Sequence, residues 1–374
     1  MPAGSQTAIP CLLMRGGTSR GPFFDERALP ADVAARDAVL LAALGSPDER
    51  QIDGIGGGHP LTSKVGIVAP GTRPGVDVEW TFGQIQPAGD TVDVTANCGN
   101  MLAAVLPFAL ETGIVEPAGD TTTARVLTRN TGMIAEITVR TPAGADGARH
   151  VEYAGRARID GVPGTAAPIE IGFLDTAGSI AGSLLPTGRV RDTVEVDGLG
   201  DVEVTLIDNG QPLVIVAAER LGATGYETPA EIDADDGLKA RVEALRLVCG
   251  RAMGLGDVGD KNYPKMTLVA PPAHGGSIST RSLIPRVAHR SIGVLAAVTA
   301  ATACVLRGSV AHDVATGITG TEPTVSVEHP SGEFSVTLGL DPDDPQRVVR
   351  SALLRTARLL MSGDVLVPRA AQFS

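Results

Sequence analysis

Aromatic residues make up only 3% of this 374-residue chain, with a single Trp, so any core of ordinary size must be aliphatic. Basic charge is also in short supply. The formal net charge is −12, which argues against a nucleic-acid groove or a basic membrane surface. It does not exclude an anionic substrate, because a site can collect helix ends and a few local cations. A membrane-spanning run is missing too. The longest apolar stretch, Ser291 to Leu306, is too short to span and carries Thr299 and Thr302, which suits a buried core helix. Met1-Pro-Ala-Gly-Ser-Gln-Thr7 lacks the basic start and apolar centre of a secretion signal. The cysteines, Cys11, Cys98, Cys249 and Cys304, lie far apart, and no pair has zinc or redox spacing. These features lead us to expect a cytoplasmic protein with reduced thiols. No cluster of His, Asp and Glu has metal-ligand spacing, so no metal is expected. A Walker-type Gly-Lys-Ser/Thr ending is absent, as is a Gly-x-Ser-x-Gly elbow. Gly56-Gly-Gly-His59 has no apolar helix behind it and is no dinucleotide fingerprint.

What is present is a globular composition, with 43% hydrophobic and 20% charged residues and 46 glycines to make turns. The length allows two domains. The order of elements repeats. In each half a strand leads to a loop, a helix, a Gly-rich loop and a Lys. A short strand and a longer strand follow, then a polar opening and an apolar helix. Lys64 and Asn97-Cys-Gly-Asn100 hold these places in the first half, and Lys265 and His289-Arg-Ser-Ile-Gly293 hold them in the second. The expected fold class is therefore α/β (α+β), with two pseudo-symmetric domains, each a sheet wrapped around a central apolar helix. Two helix openings could then face one another across a cleft. The Gly/Ser/Pro-rich stretch from Gly178 to Arg189 sets the expected boundary, giving domains 1–184 and 185–345. A helix over 346–360 and a last strand at Val365-Leu-Val-Pro368 are expected to return to the first domain as segment 346–374. The apolar faces of helices 33–44 and 346–360 suit a core or a homo-oligomer interface equally well.

The chemistry-bearing residues cluster at these openings. Asn97 is a good N-cap type and places Cys98 in the first turn of a helix whose apolar body is 101–112. The positive helix end eases proton loss from a thiol there and offers N–H donors to a carboxylate. A bland buried cysteine is the competing reading, and the flanking Asn97, Gly99 and Asn100 weigh against it. Lys64 enters a short apolar strand after Thr62 and Ser63, an environment that favours a neutral amine and general-base work. A surface Lys at a strand start is the alternative, and Lys265 suits that role. Arg15, Gly16, Gly17, Thr18 and Ser19 form a loop fit to cradle a carboxylate, although a plain tight loop fits as well. His59 and His289 flank these elements and rank below Lys64.

These motifs together resemble the 4-oxalomesaconate tautomerase group of the PrpF-like isomerases, alongside the methylitaconate and aconitate isomerases. The likeness runs through Ile9-Pro-Cys-Leu-Leu-Met-Arg-Gly-Gly-Thr-Ser19, Gly45-Ser-Pro-Asp48 and Gln51-Ile-Asp-Gly-Ile-Gly-Gly57. It continues through Thr62-Ser-Lys-Val65, Asn97-Cys-Gly-Asn100 and His289-Arg-Ser-Ile-Gly293. The resemblance implies a diaminopimelate epimerase-like fold, no cofactor, no metal and an unsaturated polycarboxylate substrate. It maps the family's proton-shuttling Lys onto Lys64 and its Cys onto Cys98. Thr62, Ser63, Asn97, Gly99, Asn100, His289, Ser291, Ile292 and Gly293 are the further substrate-binding expectations. Where epimerases carry a second cysteine this chain reads Ser291-Ile-Gly293, which fits a proton shift on one face. Arg20 stands where the resemblance leads us to expect Lys. The implied activity is keto–enol tautomerisation or a 1,3-allylic shift of 4-oxalomesaconate, in gallate or protocatechuate breakdown. The rivals are methylitaconate or aconitate isomerisation, and a polycarboxylate-binding protein without catalysis.

Overall fold

A computed structural model describes residues 4–95, 97–173, 176–344 and 347–369. The chain divides into two compact units. One is Met1–Gly172 with Leu354–Ser374, and the other is Phe173–Leu353.

The first unit opens with a hairpin of β1 (Gln6–Gly16) and β2 (Ser19–Asp25). Helix α1 (Val33–Leu44) follows, capped by the Asp32 carboxylate and closed by Gly45 in the left-handed conformation. Then come β3 (Lys64–Pro70), β4 (Val78–Ile85) and the short β5 (Val92–Asp93). Two short helices, α2 (Gly99–Leu102) and α3 (Val105–Glu111), precede β6 (Thr121–Thr128), β7 (Ile134–Arg140) and β8 (Ile169–Phe173). The single helix expected over 101–112 is thus broken at Ala103–Ala104. Pro107 is the physical cause, since it has no N–H to give to residue 103 and its ring crowds that carbonyl. The pairings run β1–β2 antiparallel, β2–β3 parallel, β3–β4 antiparallel, β4–β6 parallel and β6–β7 antiparallel.

The second unit contains β9 (Asp192–Val196), β10 (Gly200–Asp208), β11 (Pro212–Ala217), α4 (Pro229–Ala234) and α5 (Asp236–Ala252). It continues with β12 (Lys265–Ala270), β13 (Ile278–Leu283), α6 (Val294–Val305), α7 (Val310–Val314), β14 (Thr324–His329) and β15 (Gly332–Leu340). Its strands repeat the same succession. Strands β10–β11 are antiparallel, β11–β12 parallel, β12–β13 antiparallel, β13–β14 parallel and β14–β15 antiparallel. Mixed α/β is the observed class, and an apolar helix lies against the sheet of each unit. Val105 to Ala109 of α3 and Ala296 to Val305 of α6 are all buried. Burial of such aliphatic side chains, each stabilising by about 1.5–3 kcal/mol, drives both cores.

Two readings of the chain are corrected here. Residues 348–360 are not helical: β16 (Val348–Arg355) and β17 (Ala357–Pro368) cover them. Strand β17 pairs antiparallel with β1 from Gln6↔Pro368 to Gly16↔Ala357, and that long ladder outweighs local helix preference. Gln346 and residues 370–374, to which the C-terminal expectation extended, lie outside the described residues. The division between units falls at Gly172/Phe173 rather than at 184/185, and the return begins at Leu354 rather than at 346. The Gly178 turn belongs to the second unit because Asp208 anchors it. The Gly178 N–H donates to the Asp208 carbonyl, and the Ile180 and Ala181 N–H groups donate to its carboxylate.

Candidate active site

Residues 15–21 form a tight hairpin rather than an open loop, with Gly17 at φ 51° and Thr18 in its turn. The register Arg15↔Arg20 and Gly16↔Ser19 sends alternate residues to opposite faces. The Gly16 and Gly21 face meets the other site elements at backbone distance. A Cβ on Gly16 would lie 2.4 Å from the Asn100 carbonyl oxygen, and one on Gly21 would lie 1.8 Å from that of Lys64. At Gly17 a Cβ would stand 2.1 Å from Asn100 Oδ1. These glycines let the hairpin, the start of β3 and the start of α2 pack together. Asn100 Nδ2 donates to Thr18 Oγ1 at 3.0 Å, which fixes the turn to α2.

Lys64 is the first residue of β3, only 7% exposed. Its Nζ donates to Gln84 Oε1, opposite it on β4, and lies 5.0 Å from the Phe82 ring centroid. Gln84 is oriented in turn by its Nε2, which donates to the Pro60, Ser63 and Ile85 carbonyls. Ser63 is fully buried and its hydroxyl donates to Gln51 Oε1 at 2.6 Å, so its side chain braces the loop. Thr62 Oγ1 donates to the His59 carbonyl.

Cys98 is the N-cap of α2 rather than part of its first turn, and it is half-buried, whereas Cys11, Cys249 and Cys304 are buried. Asn97 Oδ1 accepts the Cys98 N–H at 2.8 Å, so Asn97 caps the residue beside it and not the helix. Burial pushes the Cys11 thiol up to about 11 and the Cys249 and Cys304 thiols up to about 12, which keeps all three inert at neutral pH. Arg355 was not foreseen as a site residue, because it lies in the stretch read as a helix. It is buried at the end of β16; burial works against its charged form, and the field of Cys98 supports it. Gln84 was also missed, since only the β3–β4 register reveals it.

The second unit has a comparable opening. Gly293 is the N-cap of α6, and Ile292 before it is buried. Lys265 is the first residue of β12, and its Nζ lies 3.6 Å from a Cβ built on Gly293. Burial lowers Lys265 from its ordinary range. Burial, then the Lys265 charge, lowers His289, whose Nδ1 accepts the Ser291 N–H at 2.9 Å. The Ser291 hydroxyl is 3.4 Å from His329 Nε2. A surface role for Lys265 does not fit this placement. Among the described residues no group of three or more His, Cys, Asp or Glu could hold a metal ion.

The family described as "PrpF protein" matches residues 6–368. The chain belongs to the PrpF protein family. Within it, this chain is 53% identical to the (4E)-oxalomesaconate Delta-isomerase of Novosphingobium sp. (strain KA1), over 96% of this chain and 98% of that one. It is 52% identical to the 4-oxalomesaconate tautomerase of Pseudomonas putida, over 97% of each. A crystal structure of methylitaconate-delta-isomerase superposes with a TM-score of 0.86 at 35% identity, covering 99% of this chain and 98% of that one. This PrpF member therefore shares that fold at full length.

Proposed function

We propose that this protein is an isomerase of unsaturated tricarboxylates, acting on 4-oxalomesaconate by proton transfer through its own side chains. The observation that carries the reading is the convergence of Lys64, Thr18 and Cys98-Gly-Asn100 on one glycine hairpin. It occurs in a chain more than half identical to the two oxalomesaconate enzymes described above.

Lys64 removes a proton from the carbon next to a conjugated carbonyl. The electron pair moves onto oxygen and leaves a dienolate. Gln84 holds the amine by one N–H in both protonation states, because a carbonyl oxygen accepts from –NH2 and –NH3+ alike. The first N–H groups of a helix lack internal partners, and those of α2 are the donors for the developing oxyanion. Lys64 then returns the proton at oxygen or at the far allylic carbon. Asn100 and Thr18 hold substrate polar groups, and Cys98 positions the substrate or, in place of Lys64, acts as the partner acid that returns the proton. The proposed setting is the cytoplasm, in breakdown of aromatic acids.

Proton NMR of 4-oxalomesaconate turnover in deuterated water tests the reading, because tautomerisation and the allylic shift label different carbons. Lys64→Ala is expected to abolish labelling. Full turnover by that variant, or faster turnover of methylitaconate or aconitate than of oxalomesaconate by the native enzyme, would overturn it. Cys98→Ser separates the roles of the thiol: an unchanged rate leaves it a binding residue.

A further inference from the structure

The other face of the hairpin carries a second feature that the proposed reaction does not use. Arg358 on β17 stands opposite Arg15 on β1, and Arg15 stands opposite Arg20 on β2. Three arginines therefore sit at opposed positions on one face of three neighbouring strands, and all three line one cavity, with Arg20 Nη2 reaching toward the Gly57 loop, 2.8 Å from a Cβ built on Gly57. Like charges directly opposed across strands destabilise a sheet. Among the described residues none of the three forms an ion pair with a carboxylate. Arg15 Nη1 is held only by neutral groups, the Gly17 carbonyl and the carbonyl and hydroxyl of Thr356. Burial and the Arg358 charge both push Arg15 below its ordinary range. Arg20 Nε is buried without a hydrogen-bond partner.

This row opens onto a cavity of about 500 Å³, within the size of small-molecule sites. Ala157, Ile159, Val162 and Leu360 supply much of its remaining wall, and neither Lys64 nor Cys98 lines it. Tyr153 also lines it, with its hydroxyl donated to Glu111 at 3.1 Å, so that acid is engaged with a phenol.

We propose that the Arg358–Arg15–Arg20 row is a second anion site, taking a small organic polycarboxylate separate from the one that Lys64 acts on. Guanidinium forks match carboxylates in pairs of hydrogen bonds, and the aliphatic wall suits a carbon skeleton rather than an inorganic ion. The bound carboxylates relieve the repulsion among the three cations. Thr18 belongs to both sides of the hairpin: it lines the cavity, and its hydroxyl accepts from Asn100.

Isothermal titration of the full chain with citrate at low salt tests this, with Lys64→Ala, Arg358→Gln and Arg20→Gln beside the native protein. The native protein and Lys64→Ala are expected to bind citrate alike. Each Arg substitution is expected to weaken it by about tenfold or more, the loss of a charged hydrogen-bonding partner. If Arg358→Gln fails to fold, as judged by circular dichroism, Arg358→Lys keeps the charge, removes the fork and is expected to bind more weakly than the native protein. Citrate binding unchanged in a folded Arg variant would overturn the proposal. So would loss of binding in Lys64→Ala alone, absence of binding to the native protein, or inorganic phosphate binding as tightly as citrate. None of these outcomes depends on oxalomesaconate turnover, so the two readings fail separately.

Discussion

Gly21→Ala probes how the hairpin positions Lys64. The added methyl would stand 1.8 Å from the Lys64 carbonyl oxygen and 2.7 Å from its carbonyl carbon, where real contacts stay beyond 3.0 Å. Both obstacles are backbone, so the start of β3 must retreat by about 1 Å. It cannot swing freely, because Phe23↔Gly66 and its neighbours pair β2 with β3, and Lys64↔Gln84 pairs β3 with β4. Overpacking of this kind costs about 1–3 kcal/mol. For a unit of this size that lowers Tm by about 2–12 °C. The same retreat carries Lys64 away from its place, and an error of about 1 Å in a reacting group costs about a hundredfold in kcat. Thermal unfolding by circular dichroism and turnover by deuterium incorporation read the two effects. Gly363→Ala is the control: it lies on β17 with nothing within 4 Å of its added methyl, and a change below about 0.5 kcal/mol is expected. Native Tm and kcat in Gly21→Ala would refute the packing argument. A lowered Tm with native kcat would keep the steric clash and remove Lys64 from the chemistry.

Three further outcomes follow from the same structure. The Thr72 hydroxyl and then Arg129 hold the Glu79 carboxyl down to about 2 against an ordinary 4.5. Its stabilisation is present above about 4.5 and is lost as pH falls through about 2, so the stability gap between native protein and Glu79→Gln should close over that window in acid unfolding curves. A gap that stays constant would sink this. Lys265 is lowered by burial, so the folded chain carries a penalty at pH below its folded value, and this fades toward 10.5. Lys265→Met should raise Tm at neutral pH and lose that advantage in alkali; a lower Tm at pH 7 would contradict the assignment. Brief alkylation of the native protein, read by peptide mass spectrometry, should modify Cys98 ahead of the three buried thiols. Equal labelling of Cys304 would show that the α6 core opens more easily than its burial indicates.

Much of this centre is legible in one dimension because its parts are local. Lys64 at the start of an apolar strand, the Asn97-to-Asn100 turn and the glycines of the hairpin each announce themselves by residue type and spacing. So does the repeated succession of elements, which reappears as the same order of parallel and antiparallel pairings in both units. The misread segments share one cause. Val348 to Leu360 has apolar spacing compatible with helix or strand, and only pairing decides between them: β16 pairs with β15, and β17 from Ala357 onward pairs with β1. Arg355 and Arg358 were hidden inside that stretch. The inward turn of the Ser63 hydroxyl onto Gln51, in the bend just before β3, is a tertiary contact that residue type alone does not announce.

The sequence by itself determined the mixed α/β class and the aliphatic cores, since composition and period act over a few residues. Tertiary structure alone decided which residues meet. It brought Gly21 against Lys64 and Asn100 against Thr18, and aligned three arginines from strands at both ends of the chain. Register and close backbone approach are properties of paired strands, and no single stretch of chain contains them.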